Sequence, residues 1–124
     1  MKIYVAASFD NQAIIREEAS TLWGLGHEVV STWVHEVAKP EVMEDESFKR
    51  KLAIKDIAEV TSADLILLDN RQLSGGKNVE WGVSLGQHQK KLLWIIGKPT
   101  NVFHYLADRF LNDWDETRQA LGGK

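Results

Sequence analysis

Two carboxylic acids and a glycine-rich loop are the residues best suited to chemistry. The stretch Ser74-Gly75-Gly76-Lys77-Asn78-Val79-Glu80-Trp81-Gly82 runs from a predicted strand end into a predicted helix. Paired glycines let backbone N–H groups curl around an anion, and the helix N-terminus adds its dipole. Ser74 adds a hydroxyl donor. The spacing is not that of a Walker A loop, because no Lys-Ser/Thr pair follows the glycines. Nor is it the dinucleotide fingerprint, which follows a first strand. The same residues also fit a plain glycine turn, with Glu80 as a first-turn acid favoured by the helix dipole.

Asp56 lies on a predicted helix with Leu52 at i−4 and Val60 at i+4. A carboxylate within an apolar stripe needs a reason, because acids are almost never fully buried unless paired. Either it sits near the end of the stripe and reaches a backbone N–H, or it enters a site. Asp56 and Glu80 fall on helices that flank the same predicted strand. Two carboxylates facing one pocket are the equipment of glycosidic bond cleavage. One attacks or stabilises the sugar cation, and the other handles protons or orients water. A carboxylate nucleophile also splits one hard step into two easier ones.

Other candidates carry less. His27, His35, His88 and His104 show no metal-ligand spacing, so no metal and no cofactor is expected. Ser8 has no partners at the spacing of a Ser-His-Asp triad. Trp33 either stacks a base or closes the core. Trp23 and Trp94 read as core. Lys49-Arg50-Lys51 reads as a solvated helix face.

These residues need a frame. Ile3–Ala7 predicts a first strand, ended by Ser8-Phe9-Asp10, with Asp10 capping a helix from Asn11 to about Trp23. Ile15, Ala19 and Leu22 form its apolar stripe, and Gly24 and Gly26 stop it. His27–Thr32 predicts a second strand, followed by a loop from Trp33 to Asp45. A helix over Glu46–Thr61, a strand over Leu65–Leu68, a loop from Asp69 to Asn78 and a helix from Val79 to about Gln89 come next. A strand over Leu92–Ile96, a weak strand near Arg109–Leu111 and a helix over Asp113–Leu121 complete the pattern. Apolar strands alternating with helices imply an α/β fold: an open, doubly wound parallel sheet of flavodoxin or Rossmann type. Ligands of such sheets bind outside the carboxyl ends of the strands, where strand order reverses. The loops after the first three strands should therefore share one rim.

Composition bounds the rest. The 124 residues suit a single domain. With 44% hydrophobic and 27% charged residues, disorder and low-complexity structure are not expected. The absence of cysteine excludes disulfides, cysteine nucleophiles and thiolate metal sites, and fits a reducing, cytoplasmic compartment. A net charge of −3 with scattered Lys and Arg argues against a nucleic-acid polymer as partner. No apolar run is long enough to span a membrane. The N-terminal residues read as a strand rather than a signal peptide.

In order and spacing, the chain resembles the nucleoside 2-deoxyribosyltransferase superfamily, including its deoxynucleoside 5′-monophosphate N-hydrolases. Lys2-Ile3-Tyr4-Val5-Ala6-Ala7 resembles the opening strand, and Gly26-His27-Glu28-Val29-Val30 with Ser31-Thr32-Trp33 the second strand and its exit. Asp56 followed by Ala63-Asp64-Leu65-Ile66 is similar to the helix-then-strand signature. Gly75-Gly76-Lys77-Asn78-Val79-Glu80-Trp81-Gly82 resembles the loop around the family nucleophile. Asn101-Val102-Phe103-His104-Tyr105-Leu106 is similar to a segment of small members.

The resemblance implies roles. Glu80 attacks the anomeric carbon or stabilises the cation there, and Asp56 assists it. Ser74 stands where the hydrolases carry a phosphate-binding serine and the transferases an aspartate. Ser74, Gly75 and Gly76 then hold a 5′-phosphate, with Ser8 assisting. Phe9 and Trp33 shape a base pocket, and Asn78 belongs to the substrate site. The family usually forms at least a homodimer whose site is completed across subunits. Phe103, His104 and Tyr105 are candidates for that contribution, His104 as a donor to substrate. The expected reaction is hydrolysis of the N-glycosidic bond of a 2′-deoxynucleoside 5′-monophosphate. The alternatives are a transferase that exchanges bases and a nucleotide- or ADP-ribose-type binding module without turnover.

Overall fold

The computed structural model of the chain describes residues 1–36, 45–72, 75–87 and 91–122. Among these residues the strands are β1 (Lys2–Ala6), β2 (Glu28–Val29), β3 (Leu65–Asp69), β4 (Leu92–Ile96) and β5 (Arg109–Leu111). The helices are α1 (Gln12–Gly24), α2 (Glu46–Ser62), α3 (Gly76–Leu85) and α4 (Trp114–Ala120). The strands pair in parallel in the order β2-β1-β3-β4-β5. The alternation of apolar runs with helical patterns predicted this doubly wound α/β sheet. Its register sets Ile3 beside Leu65 and Leu67 beside Trp94.

Burial explains why the strands lack a polar face. All of β3 is buried, as a central strand covered on both sides requires. Ile15 and Leu22 of α1, Val60 of α2, Trp81 of α3 and Trp114 of α4 pack against the sheet. Trp23, read as core, is instead 67% exposed. One residue past Leu22 is a rotation of ~100° on a helix, which turns it off the Ile15–Leu22 stripe. Trp94 is buried as expected.

Local polar groups set the element ends. Asp45 caps α2 by accepting from the Phe48 N–H, and Asp113 caps α4 by accepting from the Glu116 N–H. The N-cap residue of α1 is Asn11 rather than Asp10. The Ser8 hydroxyl accepts the Asp10 N–H and starts a 3₁₀ turn over Phe9–Asn11, and α1 begins only at Gln12. β2 is shorter than its apolar pattern. The Ser31 hydroxyl accepts the Val5 N–H, and the chain then enters a 3₁₀ turn at Thr32–His35. α3 starts at Gly76 rather than Val79 and ends at Leu85, before Gly86.

At the end of β3, buried Asp69 accepts from Arg71 and from the Trp114 indole N–H at 2.9 Å. Replacing it strands a buried donor, which costs about 2 kcal/mol. Asp69→Ala is therefore expected to lower unfolding free energy by about that amount in urea titrations. A change below about 0.5 kcal/mol would contradict this account.

Strand order reverses between β1 and β3, because the chain first adds β2 on one side and then β3 on the other. The crevice outside these two carboxyl ends is the ligand position of the fold.

Candidate active site

A cavity of about 200 Å³ opens at that crevice, lined by Ala7, Phe9, Trp33, Lys49, Leu52, Ala53, Asp56, Gly76, Lys77 and Glu80. Ala7 and Phe9 follow β1, and Trp33 follows β2. The α3 residues arrive after β3, and α2 forms the facing wall.

The Trp33 wall is held from below. Its indole N–H donates to the Val5 carbonyl at 2.8 Å, and its ring meets Phe9 with centroids 6.1 Å apart. The Gln12 amide donates to the Trp33 and Glu36 carbonyls. Glu59 of α2 accepts from the Thr32 N–H and hydroxyl. The exit of β2 is thus tied to both α1 and α2, and Trp33 at 7% exposure both closes the core and faces the cavity.

Glu80 points from the first half of α3 toward β1, where it accepts the Tyr4 hydroxyl at 2.8 Å. Burial, reinforced by the charge of Asp56, pushes its carboxyl up to about 8 against the pull of the Tyr4 hydrogen bond. Asp56 enters from α2. Burial and the nearby Glu59 raise it to about 6. Its Oδ1 is sealed from solvent and has no hydrogen-bond partner among the described residues. Such an acceptor is costly unless a donor arrives with a ligand. Two carboxyls with raised pKa in one cleft match the pattern of a proton-handling site.

Of the residues read from sequence, the cavity unites Glu80, Asp56, Gly76, Phe9 and Trp33. Gly75 is the N-cap residue of α3. Ser74 lies outside the described residues. Ser8 is buried and bonded to the Asp10 N–H, so its hydroxyl serves the 3₁₀ turn. His104 is 0% exposed, and its Nε2 lies 2.9 Å from Asn78 Oδ1. Asn78 borders a separate apolar cavity with Trp81, Gly82, Leu85, Asn101 and Phe103.

Sequence reasoning missed three residues. Tyr4 was detectable as the one phenol in an otherwise aliphatic buried strand. Lys49 was placed on a solvated face, yet it lines the cavity. The spacing Lys49, Leu52/Ala53, Asp56 puts all of them on one helix face, which was the available signal. Lys77 is buried, with its ammonium donating to the Gln72 carbonyl. Among the described residues no group of His, Asp or Glu could hold a metal ion. No helix there is long and apolar enough to cross a membrane.

Tyr4→Phe tests the Tyr4–Glu80 contact. Loss of a hydrogen bond that pulls the carboxyl down must move the Glu80 titration upward. Carbon NMR of the labelled carboxyl is expected to show that rise, and an unchanged titration would exclude the contact.

No protein-family model matches the chain, and no curated protein matches it. Solved structures do. The chain is similar to a CMP N-glycosidase, BcmB, from Clostridium botulinum, with a TM-score of 0.59 and 17% identity over 98% of each chain. It is also similar to a 2-deoxyribosyltransferase from Bacillus psychrosaccharolyticus. There the TM-score is 0.70 with 21% identity, over 100% of this chain and 98% of that one. At these identities the likeness establishes the shared fold.

Proposed function

We propose that the chain is an enzyme of the nucleoside 2-deoxyribosyltransferase type, and that it hydrolyses the N-glycosidic bond of a 2′-deoxynucleoside 5′-monophosphate. One observation carries the reading: Asp56 and Glu80 reach a single cavity whose wall includes two aromatic rings. The structural neighbours, one an N-glycosidase and the other a deoxyribosyltransferase, both act at glycosidic bonds, which supports the same chemistry here.

In this mechanism Glu80 attacks C1′ as its carboxylate. The C1′–N bond breaks, and its electron pair leaves with the base. Asp56 supplies the proton that the departing base takes. Water then attacks C1′ of the glycosyl-enzyme, Asp56 takes its proton, and Glu80 is released. Base and deoxyribose 5-phosphate are the products, and the proton inventory of the pair is restored.

The anionic substrate must find local attraction in a chain of net charge −3. Gly75 and Gly76 at the start of α3, with Lys49 at the cavity wall, supply it, and Ser74 joins them on the family resemblance. The cavity is smaller than the ~300–1,000 Å³ usual for ligand sites. It holds a sugar and part of a base, and a second copy of the chain completes the enclosure.

A panel of deoxynucleosides, their 5′-monophosphates and CMP, assayed for free base by chromatography, tests this. Free base from deoxynucleoside monophosphates is expected. No free base from any member overturns it. Base exchange is the second reading, favoured by the overlay on the deoxyribosyltransferase. An added acceptor base would then yield a new nucleoside.

A further inference from the structure

His104 is fully buried, and a buried imidazole must find partners for both nitrogens. The Thr100 backbone N–H donates to its Nδ1 at 3.0 Å. A backbone N–H can only donate, so Nδ1 is bare and the ring proton resides on Nε2. Nε2 lies 2.9 Å from Asn78 Oδ1, which accepts that proton. Asn101 Oδ1 accepts the Phe103 and His104 N–H groups, which fixes the start of the segment; its Nδ2, 3.1 Å from Nε2, sets a donor against a donor, so the ring proton is taken by Asn78 and not by Asn101. Asn70, just past β3, donates to the Lys98 carbonyl and lies 3.4 Å from Nδ1.

The recipient of this network is the first turn of α3. Gly75 offers that helix no side-chain cap, so the turn is held from outside. A second tie lies one residue beyond Glu80. The Trp81 indole N–H donates to the Phe103 carbonyl at 3.0 Å, and its ring stands edge-on to His104. Asn78 and Trp81 therefore anchor α3 on either side of Glu80, both to the 3₁₀ segment Val102–Leu106.

We infer that His104 is a positioning residue, which through Asn78 fixes the first turn of α3 and so the direction in which Glu80 enters the cavity. The inference rests on the reading of Glu80 as nucleophile. Its substance is geometric, because a displacement of ~1 Å at a reacting group can cost 10²-fold in rate.

His104→Gln and His104→Asn separate positioning from mere folding. The glutamine amide reaches as far as Nε2 and donates to Asn78, whereas the asparagine amide stops at the reach of Nδ1. His104→Asn is expected to lower kcat by about 10–100-fold with KM within about threefold, and His104→Gln to retain about ten times more kcat than His104→Asn. Asn78→Ala, which leaves His104 in place, should reproduce the His104→Asn loss. Equal kcat in all variants, or losses confined to KM, overturns the inference.

A second readout does not need turnover. The Glu80 carboxyl titration, followed by carbon NMR, should move in His104→Asn and Asn78→Ala and stay in place in Val102→Ala on the exposed side of the segment. An unmoved titration in folded His104→Asn overturns the inference, whatever the substrate. A moved titration in a chain that releases no base upholds the positioning role and removes the nucleophile reading instead.

Discussion

Glu80→Gln is expected to lower kcat by about 10³-fold or more while making the protein more stable at alkaline pH. The first effect is that of removing the group that attacks C1′, since the amide cannot form the glycosyl-enzyme. The second follows from linkage. The folded state holds the Glu80 carboxyl at about 8, against 4.5 for an ordinary glutamate. Folded protein therefore binds a proton that the unfolded chain has released, and stability present at acid pH is lost as pH rises from about 4.5 through about 8. Glutamine carries no charge at any of these values, so the loss disappears. Urea unfolding at pH 5 and pH 9 should show little difference between variant and parent at the lower value and a more stable variant at the higher. Activity within tenfold of the parent, with the alkaline gain absent, would remove Glu80 from the reaction and from the buried site alike.

The dependence of kcat/KM on pH is expected to be a bell with limbs near 6 and 8, the two values to which burial raises Asp56 and Glu80. The groups interact, so the limbs belong to the pair rather than to either residue. Below the lower limb both carboxyls are protonated and no nucleophile exists. Above the upper limb both are ionised and no acid remains for the leaving base. The working form carries one proton, and it must sit on Asp56; because Glu80 holds a proton to higher pH than Asp56 in the free site, this is the minor one-proton arrangement there, and bound substrate must select it. Asp56→Asn should reduce kcat by about 10²–10⁴-fold, the usual worth of a positioned acid. It should also shift the Glu80 titration downward, because the Asp56 charge is one of the causes raising it. A profile flat from pH 5 to 9 in the parent, or an unshifted Glu80 titration in Asp56→Asn, would separate the two acids.

Much of the frame was legible because it is written locally. Strand runs such as Leu65–Leu68 and the helical spacing of Ile15, Ala19 and Leu22 record which neighbours share a face. The parallel order follows once strands and helices alternate, since right-handed crossovers leave few topologies. Asp56 and Glu80 stood out because a carboxylate amid an apolar stripe, or beside paired glycines, is expensive without a purpose. Trp33 was read as closing the core or stacking a base; its indole N–H bonds to the Val5 carbonyl, and its side chain lines the cavity. Element ends were less legible. The helix start moved because Ser8 begins a 3₁₀ turn over Phe9–Asn11, so α1 opens only at Gln12.

By itself, then, the sequence determined the alternating α/β order and the residue types able to act: two carboxylates, an anion-friendly loop and no thiol. Only the tertiary structure decided which side chains meet. Tyr4 reaches Glu80 from a strand 76 residues away in sequence. Lys49 turns inward because α2 leans over the β1–β3 crevice, and Trp23 turns outward because it lies off the Ile15–Leu22 stripe that packs on the sheet. His104 faces Asn78 because the loop after β4 folds back onto α3. Periodicity states that a side chain lies on a buried face of its own element. What stands opposite that face depends on how distant elements cross, and no local window of sequence carries that information.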